Sequence, residues 1–234
     1  SGDLGLTTGQ AGSLVTWTLV GAVIGGFIFG TLSDKFGRVR VLTWTIVLFA
    51  VFTGLCAFAQ GYWDLLIYRT IAGIGLGGEF GIGMALAAEA WPAQHRAKAT
   101  SYVAIGWQLG VLAAALLTPV LLPYIGWRGM FMVGIIPAFV AWFFRAKLHE
   151  PEIFVQSKEI KEHSHTNSFK LLVKDVRTTK TSIGVAILTS VQNFGYYGIM
   201  IWLPNFLSKQ LGFSLTKSGL WTAVTVCGMM VGIW

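Results

Sequence analysis

Long uncharged apolar runs recur along this chain, and they constrain its fold more than any other feature. Each run is close to the roughly 20 residues that a helix needs to cross about 30 Å of hydrocarbon. Because only helices and closed barrels satisfy their backbone in lipid, and because these runs lack the alternation of barrel strands, they predict an all-α, multi-pass transmembrane bundle. The seven predicted crossings are Ser13–Leu32, Val41–Ala59, Leu65–Trp91, Ala99–Ile125, Gly129–Phe144, Thr181–Leu207 and Ser218–Trp234.

The composition and the charge distribution agree with a lipid environment. Charged residues make up 12% of the chain, whereas a soluble domain usually carries about 25%. The net charge of +7 does not indicate nucleic acid, because the cations cluster in a few connections between apolar runs. All 17 lysines and arginines except Arg69, Arg128, Lys209 and Lys217 fall at one face, which the positive-inside rule places in the cytoplasm. We therefore expect a multi-pass protein of the bacterial inner (plasma) membrane.

The connection between the first two runs, residues 30–42 (GTLSDKFGRVRVL), has a distinctive pattern. Gly30 and Gly37 flank Asp34, and glycine tolerates positive φ without a Cβ clash, so the pattern permits a tight turn between two membrane crossings. On charge alone, the simpler interpretation is a basic loop that only fixes topology.

The same connection resembles the loop signature of the major facilitator superfamily, in which glycines, a leucine, an aspartate and basic residues follow at fixed spacing. The matching residues are Gly30, Leu32, Asp34, Lys35, Gly37, Arg38 and Leu42. Val39 stands where a second basic residue is usual, and Arg40 lies one place late. Members of this superfamily have twelve helices in two lobes of six, which a long cytoplasmic connection joins.

The resemblance implies a partial fold that runs from the second to the eighth helix of that pattern. Residues 1–147 would form part of the N-terminal lobe, 148–180 the cytoplasmic linker, and 181–234 the start of the C-terminal lobe. The chain begins in a polar stretch and ends inside an apolar run, so we expect a fragment that lacks the first helix and the last four.

Two ionisable residues, Arg69 and Glu79, lie well inside the third apolar run. Ten residues of helix span about 15 Å, so the two cannot pair directly, and each needs a partner on another helix or a watery cavity. A charge at that depth costs several kcal/mol, which favours a role in proton coupling or in binding a substrate carboxylate. The alternative is a structural ion pair or hydrogen bond between helices.

Residues 68–79 resemble the fourth helix of sugar and organic-acid proton symporters, and are closest to the sialate and metabolite branch. In the sugar-porter relatives, an arginine at the place of Arg69 pairs with a first-helix aspartate whose protonation is coupled to transport. Glu89 and Arg96 resemble the cytoplasmic pair that joins an aspartate and an arginine of the loop signature in an inner gate. The gate residues implied here are Asp34, Arg38, Arg40, Glu89 and Arg96. Static anchoring is the alternative role.

Polar side chains in two later runs are candidates for substrate contacts. Gln108 lies in the run of residues 99–125, and Gln192, Asn193, Tyr196 and Tyr197 fall within an arc of roughly 140° on a later helix. Sugar porters keep glutamine, asparagine and tyrosines on that helix as substrate contacts. Hydrogen bonds between helices would explain the same residues equally well.

Small residues and cysteines inside the runs predict packing rather than chemistry. Glycines four residues apart let helices approach closely in lipid, and they occur as Gly21 with Gly25, Gly26 with Gly30, Gly106 with Gly110, and Gly73 with Gly77 and Gly81. Cys56 and Cys227 lie inside apolar runs without metal-ligand spacing, and we expect both to be buried.

Together these patterns predict a secondary transporter that imports an organic acid, sialic acid or related sugar acid with protons, by alternating access. Its partners would be the small-molecule substrate, protons and the lipid bilayer, with no cofactor, metal or nucleic acid, and it would act as a monomer.

A drug or metabolite exporter of the same superfamily is the alternative. The Gly-Pro signature of drug–proton antiporters is absent after Gly106 and Gly110, which favours uptake. A membrane-embedded enzyme would need paired carboxylates or a His/Asp cluster at one depth; a structural scaffold would need neither.

Overall fold

The computed structural model describes residues 5–145, 174–210, 212 and 214–233, and this part of the chain is helical, without strands. The long helices are α1 (Thr8–Phe36), α2 (Arg38–Cys56), α3 (Tyr62–Ala90), α4 (Arg96–Arg145), α5 (Val176–Gln210) and α6 (Leu215–Ile233), with a 3-10 turn at Ala93–His95. Gly126 interrupts α4 with φ 64° and ψ 179°, which divides it into α4a (96–125) and α4b (127–145). Each predicted crossing therefore coincides with a helical segment, and the all-α prediction is confirmed.

Length and apolarity allow several of these helices to cross a bilayer. In the described part of the chain, the segments that qualify are Gly9–Phe36, Arg38–Cys56, Tyr62–Ala90 and Ala93–Phe144, while Lys217–Ile233 is a shorter apolar helix. The segment Ala93–Phe144 has 52 residues, more than twice what one crossing needs, and the break at Gly126 lies inside it. This supports two crossings within α4 and confirms the multi-pass prediction.

The described residues form two compact units. The first contains 5–103 and 121–145, so it holds α1, α2, α3 and α4b; the second contains 104–120 of α4a together with α5 and α6. Most of the predicted linker, 148–180, lies outside the described residues. The division of the chain into lobes at residues 147 and 181 stays a prediction.

The turn between α1 and α2 is made by Gly37 alone. Gly37 has φ 109° and ψ 148°, a conformation that side chains disfavour, and its N–H donates to the carbonyl of Ser33 at 3.2 Å. The expectation that Gly30 contributes to this turn is wrong, because α1 continues through Gly30 to Phe36. The apolar run therefore ends before the helix does, and the charged residues near Asp34 lie on the last turn of α1.

Side-chain hydrogen bonds cap the N-termini of α1 and α5 and set where these helices begin. The Thr7 hydroxyl accepts a hydrogen bond from the N–H of Gln10, whose side chain accepts one from the N–H of Thr7, a capping box that starts α1. At α5, the N–H and the hydroxyl of Thr178 donate to the Asp175 carboxylate at 2.8 and 3.0 Å. These bonds lower the pKa of the Asp175 carboxyl below its ordinary value. The cap explains why α5 begins earlier than the predicted start at residue 181.

Glycines bring α1 and α3 into backbone contact. A Cβ added to Gly21 or Gly25 would collide with the backbone of α3, and one added to Gly73 or Gly77 would collide with the backbone of α1. Lipid supplies no hydrophobic driving force between helices, so this close fit is what dispersion forces need. The predicted packing role is confirmed for these four glycines.

The third helix also fits closely against α2. A Cβ on Gly75 would lie 2.8 Å from the Thr45 carbonyl oxygen of α2. The predicted packing role does not hold in the described part of the chain at Gly30, Gly81, Gly106 and Gly110, where an added Cβ meets nothing within 4 Å. Spacing alone does not distinguish the glycines that touch a neighbouring helix from those that do not.

The buried apolar side chains of the first unit form two small clusters. One contains Val41, Leu42 and Ile82, and the other contains Cys56, Ala59 and Leu65. The expectation for Cys56 is confirmed. The expectation for Cys227 is wrong, because it is exposed on α6. A cysteine behaves as a small apolar residue, so an apolar helix can carry it at an exposed position as well as at a buried one.

We expect Gly77→Ala to lower the free energy of unfolding by about 1–3 kcal/mol, because the added Cβ overlaps the backbone of α1. The matched control is Gly81→Ala, one turn further along α3, where the Cβ meets nothing within 4 Å. The control should be neutral or slightly stabilising, since alanine has a higher helix propensity than glycine by about 1 kcal/mol. Thermal unfolding in detergent compares the two variants. Equal melting temperatures would contradict the direct contact of α1 with α3.

Candidate functional site

An ion-pair cluster lies where α1 turns into α2. The Arg38 guanidinium contacts the Asp34 carboxylate through Nη1 at 2.8 Å and the Glu89 carboxylate through Nη2 at 3.0 Å and Nε at 3.2 Å. Nη1 also donates to the hydroxyl of Ser33 at 2.8 Å, and Ser33 is fully buried. The contact with Glu89 is bidentate, the arrangement for which the planar guanidinium is suited.

Local structure explains this geometry. Asp34 stands on the last turn of α1 and Arg38 opens α2 after the Gly37 turn, so the two are four residues apart. Glu89 comes from the last turn of α3, which brings three helix ends to one point. The cluster, Asp34–Arg38–Glu89, holds two carboxylates on one guanidinium.

The other predicted gate residues have different surroundings. Arg96 is exposed, and its Nε donates to the carbonyl of Trp91 at 3.3 Å. Arg40 has an exposed side chain on the first turn of α2. Ser33 was not a candidate from sequence, because a lone serine beside an aspartate carries no signal of its own. The gate role of all these residues stays a prediction.

Arg69 faces an aromatic ring instead of a carboxylate. Its Cζ atom lies 4.6 Å from the ring centroid of Phe131 on α4b, well within the distance of a cation–π contact. Within the described residues, Arg69 forms no ion pair and donates no hydrogen bond. Glu79 lies partly exposed on the same helix, immediately after the buried Gly78. Arg69 is thus a cation inside an apolar helix that has no ion-pair partner among the described residues.

A third arginine, Arg128, contacts a backbone carbonyl and an aromatic ring. Arg128 Nη1 donates to the carbonyl of Ala57 at 3.0 Å, just past the end of α2, and its Cζ lies 4.7 Å from the ring centroid of Trp127. A cation at a helix C-terminus complements the partial negative charge of the last carbonyls. Arg128 therefore anchors α4b to α2.

The second unit contains the predicted substrate residues of α4a and α5. The indole N–H of Trp107 donates to the hydroxyl of Tyr196 at 3.3 Å, and the rings of Tyr196 and Tyr197 meet edge to face at 5.3 Å. Gln192 and Asn193 are exposed, and the Asn193 amide donates to the carbonyl of Thr189 on its own helix at 2.9 Å. Trp107 was not among the sequence candidates, although its position beside a glutamine in an apolar run was a usable signal.

Gln108 is the buried polar side chain of this group. It is 7% exposed, and its Nε2 donates to the sulfur of Met229 on α6 at 3.6 Å. Its Oε1 is buried and accepts no hydrogen bond from the described residues. A buried carbonyl oxygen without a donor is costly, so this atom has unused capacity for a ligand or a water.

The fold and these sites define a class of protein: an apolar multi-pass helical bundle of the membrane, with an ion-pair cluster at its helix ends and polar groups between its helices, as is typical of transporters. The chain belongs to the Major Facilitator Superfamily, whose family model matches residues 1–234. The family resemblance seen in the sequence is thereby confirmed. This is a family of transporters and not of enzymes, which rules out the membrane-embedded enzyme.

Individual relatives agree with this assignment. A putative metabolite transport protein of Haemophilus influenzae is 79% identical over 239 residues, which cover 100% of this chain and 59% of that protein. A cis,cis-muconate transport protein of Acinetobacter baylyi is 32% identical over 234 residues, 98% of this chain and 57% of that protein. The chain spans about half to three fifths of the length of the curated relatives it matches.

A solved structure has the same fold. The proton:xylose symporter XylE bound to 6-bromo-6-deoxy-D-glucose superimposes with a TM-score of 0.71 at 22% identity. The match covers 98% of this chain and 60% of that chain. At this level of identity the likeness concerns the fold alone.

Arg38→Lys should lower the free energy of unfolding by about 1–2 kcal/mol, because lysine cannot keep the bidentate contact with Glu89 together with the Ser33 bond. The side chains of Arg38 and Glu89 are 17% and 25% exposed, so solvent screens the pair only partly. Arg96→Lys is the control, since it loses one exposed hydrogen bond. Thermal unfolding in detergent measures both, and an equally small effect of the two substitutions would show that the cluster contributes little to stability.

Proposed function

We propose that this chain is part of a secondary transporter of the inner (plasma) membrane that imports a small organic acid or sugar acid together with protons. The observation that carries the proposal is Arg69, a cation in an apolar helix that faces the Phe131 ring and has no ion-pair partner among the described residues. An unpaired charge at this depth costs several kcal/mol, and a carboxylate would offset that cost.

The substrate would supply the carboxylate that Arg69 lacks. A guanidinium binds a carboxylate through two parallel N–H bonds, and this geometry discriminates an acid from a neutral compound of the same shape. The relative named for cis,cis-muconate transport supports an organic acid as substrate, since muconate carries two carboxylates. Glu79, near the middle of the same helix, is our candidate for taking up the coupled proton, and Arg69 itself is the alternative site of coupling.

The second unit contains our candidates for uncharged contacts with a substrate. Gln108 has a buried Oε1 that can accept a hydrogen bond from a substrate hydroxyl. Gln192, Asn193, Tyr196 and Tyr197 are the further candidates on α5. Of these, Asn193 and Tyr196 already take part in hydrogen bonds with the protein, so they can contact a substrate only by sharing or exchanging those bonds.

The cluster Asp34–Arg38–Glu89 would act as an inner gate, with Arg40 and Arg96 beside it. Its contacts join the ends of α1, α2 and α3, and bonds of this kind can be broken and remade when the transporter alternates between two states. A partly exposed cluster suits this role, because solvent lowers the free energy needed to separate its charges.

Uptake into vesicles tests the proposal directly. The complete protein is reconstituted, and uptake of radiolabelled cis,cis-muconate and N-acetylneuraminate is followed with an acidic exterior. We expect accumulation of a carboxylic acid that a protonophore abolishes. If the acid does not accumulate and is instead extruded in exchange for protons, the result would favour the exporter.

Arg69→Gln is expected to reduce kcat/KM for the transported acid at least about 100-fold, because the variant loses a charge-assisted bidentate contact in a desolvated site. The matched control is Arg128→Gln, which removes an arginine whose described contacts are structural. That control should unfold at a lower temperature and still transport the acid. Retention of full uptake by Arg69→Gln would contradict the proposed role of Arg69.

A further inference from the structure

The ring that faces Arg69 is itself held in place by its surroundings. Phe131 packs against the buried cluster of Cys56, Ala59 and Leu65, and its ring meets that of Trp127 edge to face at 6.0 Å and 90°. It belongs to α4b, whereas Arg69 belongs to α3. The ring is therefore a fixed surface that a different helix presents to the guanidinium.

The contact with this ring leaves the hydrogen-bonding capacity of Arg69 unused. A guanidinium carries five N–H donors in one plane, and a ring near its central carbon attracts the cation without accepting strong hydrogen bonds. No described residue accepts a hydrogen bond from Arg69 or pairs with it. A carboxylate in the place of Phe131 would instead neutralise the charge and occupy the donors.

We propose that Phe131 is a positioning residue: it holds the Arg69 guanidinium by its ring so that the N–H edge can bind a carboxylate bidentately. This inference rests on the proposed function, because it assumes that Arg69 receives a carboxylate. Without the ring, the long arginine side chain samples more rotamers, and ordering it on binding costs affinity. The carboxylate can belong to the substrate or to a side chain of the protein outside the described residues; the chemistry of recognition is the same.

The test uses Phe131→Leu, which keeps an apolar side chain and removes the ring face, with Phe131→Tyr as the conservative variant that keeps the face. Both are made in the complete protein, checked for folding by thermal unfolding, and reconstituted. Uptake of cis,cis-muconate is compared with uptake of its diamide, which has the same carbon skeleton without charge. A cation–π contact in a desolvated site corresponds to a change of about 10-fold in affinity.

If the substrate supplies the carboxylate, Phe131→Leu raises KM for muconate about 10-fold, with a smaller change in kcat and no change for the diamide. If the protein supplies it, Phe131→Leu alters the pH dependence of uptake equally for both compounds. In either case Phe131→Tyr, which keeps the ring, has the wild-type KM and pH dependence. Phe131→Leu has no further effect when it is combined with Arg69→Gln. These results support the inference.

Other results distinguish a failure of the positioning role of Phe131 from a failure of the proposed function. If Arg69→Gln abolishes muconate uptake while Phe131→Leu leaves KM and the pH profile unchanged, the positioning role is overturned and the proposed function stands. If Phe131→Leu has the same effect with and without the Arg69 side chain, the ring acts only on stability, and the inference is again overturned. If Arg69→Gln itself leaves uptake unchanged, the proposed function fails.

Discussion

The backbone contact between α1 and α3 is the interaction on which the rest of the first unit depends. Gly21 and Gly25 on one side, and Gly73 and Gly77 on the other, let two helices touch where any Cβ would separate them. Lipid tails are as apolar as the side chains they solvate, so only close fit and polar contacts hold helices together. Because α3 carries both Arg69 and Glu89, this contact also fixes where the two charged residues lie.

Three arginines in the same unit have three different kinds of contact, and we compare them to infer their roles. Arg38 contacts two carboxylates and a hydroxyl, and Arg128 donates to the carbonyl of Ala57. Arg69 alone of the three has only an aromatic ring in the described part of the chain. A cation that serves packing is expected to have at least one polar partner in the protein, as the first two have. The lack of a described polar partner for Arg69 is the physical reason for our proposal that it binds a substrate carboxylate.

Local sequence predicts the helices of this chain well and their contacts poorly. The apolar runs locate each crossing, because the thickness of the hydrocarbon sets their length. Arg38 contacts Asp34 and Glu89, whereas Arg96, which the resemblance pairs with Glu89, donates to the carbonyl of Trp91. The contact of Arg69 with Phe131 has no local signal, since any phenylalanine of an apolar run would look the same. Likewise, nothing near Trp107 indicates that its partner is Tyr196, 89 residues further on.

A polar side chain in an apolar helix is therefore weak support for a binding site until its own hydrogen bonds are known. The Asn193 amide donates a hydrogen bond to the carbonyl of Thr189, one turn earlier on the same helix. Polar side chains in apolar helices commonly form such bonds to their own backbone. Gln108 bonds a weak acceptor, the sulfur of Met229, and leaves its Oε1 buried without a donor. The free energy of an unpaired buried oxygen is recovered only when something donates to it. On this physical ground Gln108 is a stronger candidate for a substrate contact than Asn193, although the two residues are equivalent when judged from the sequence alone.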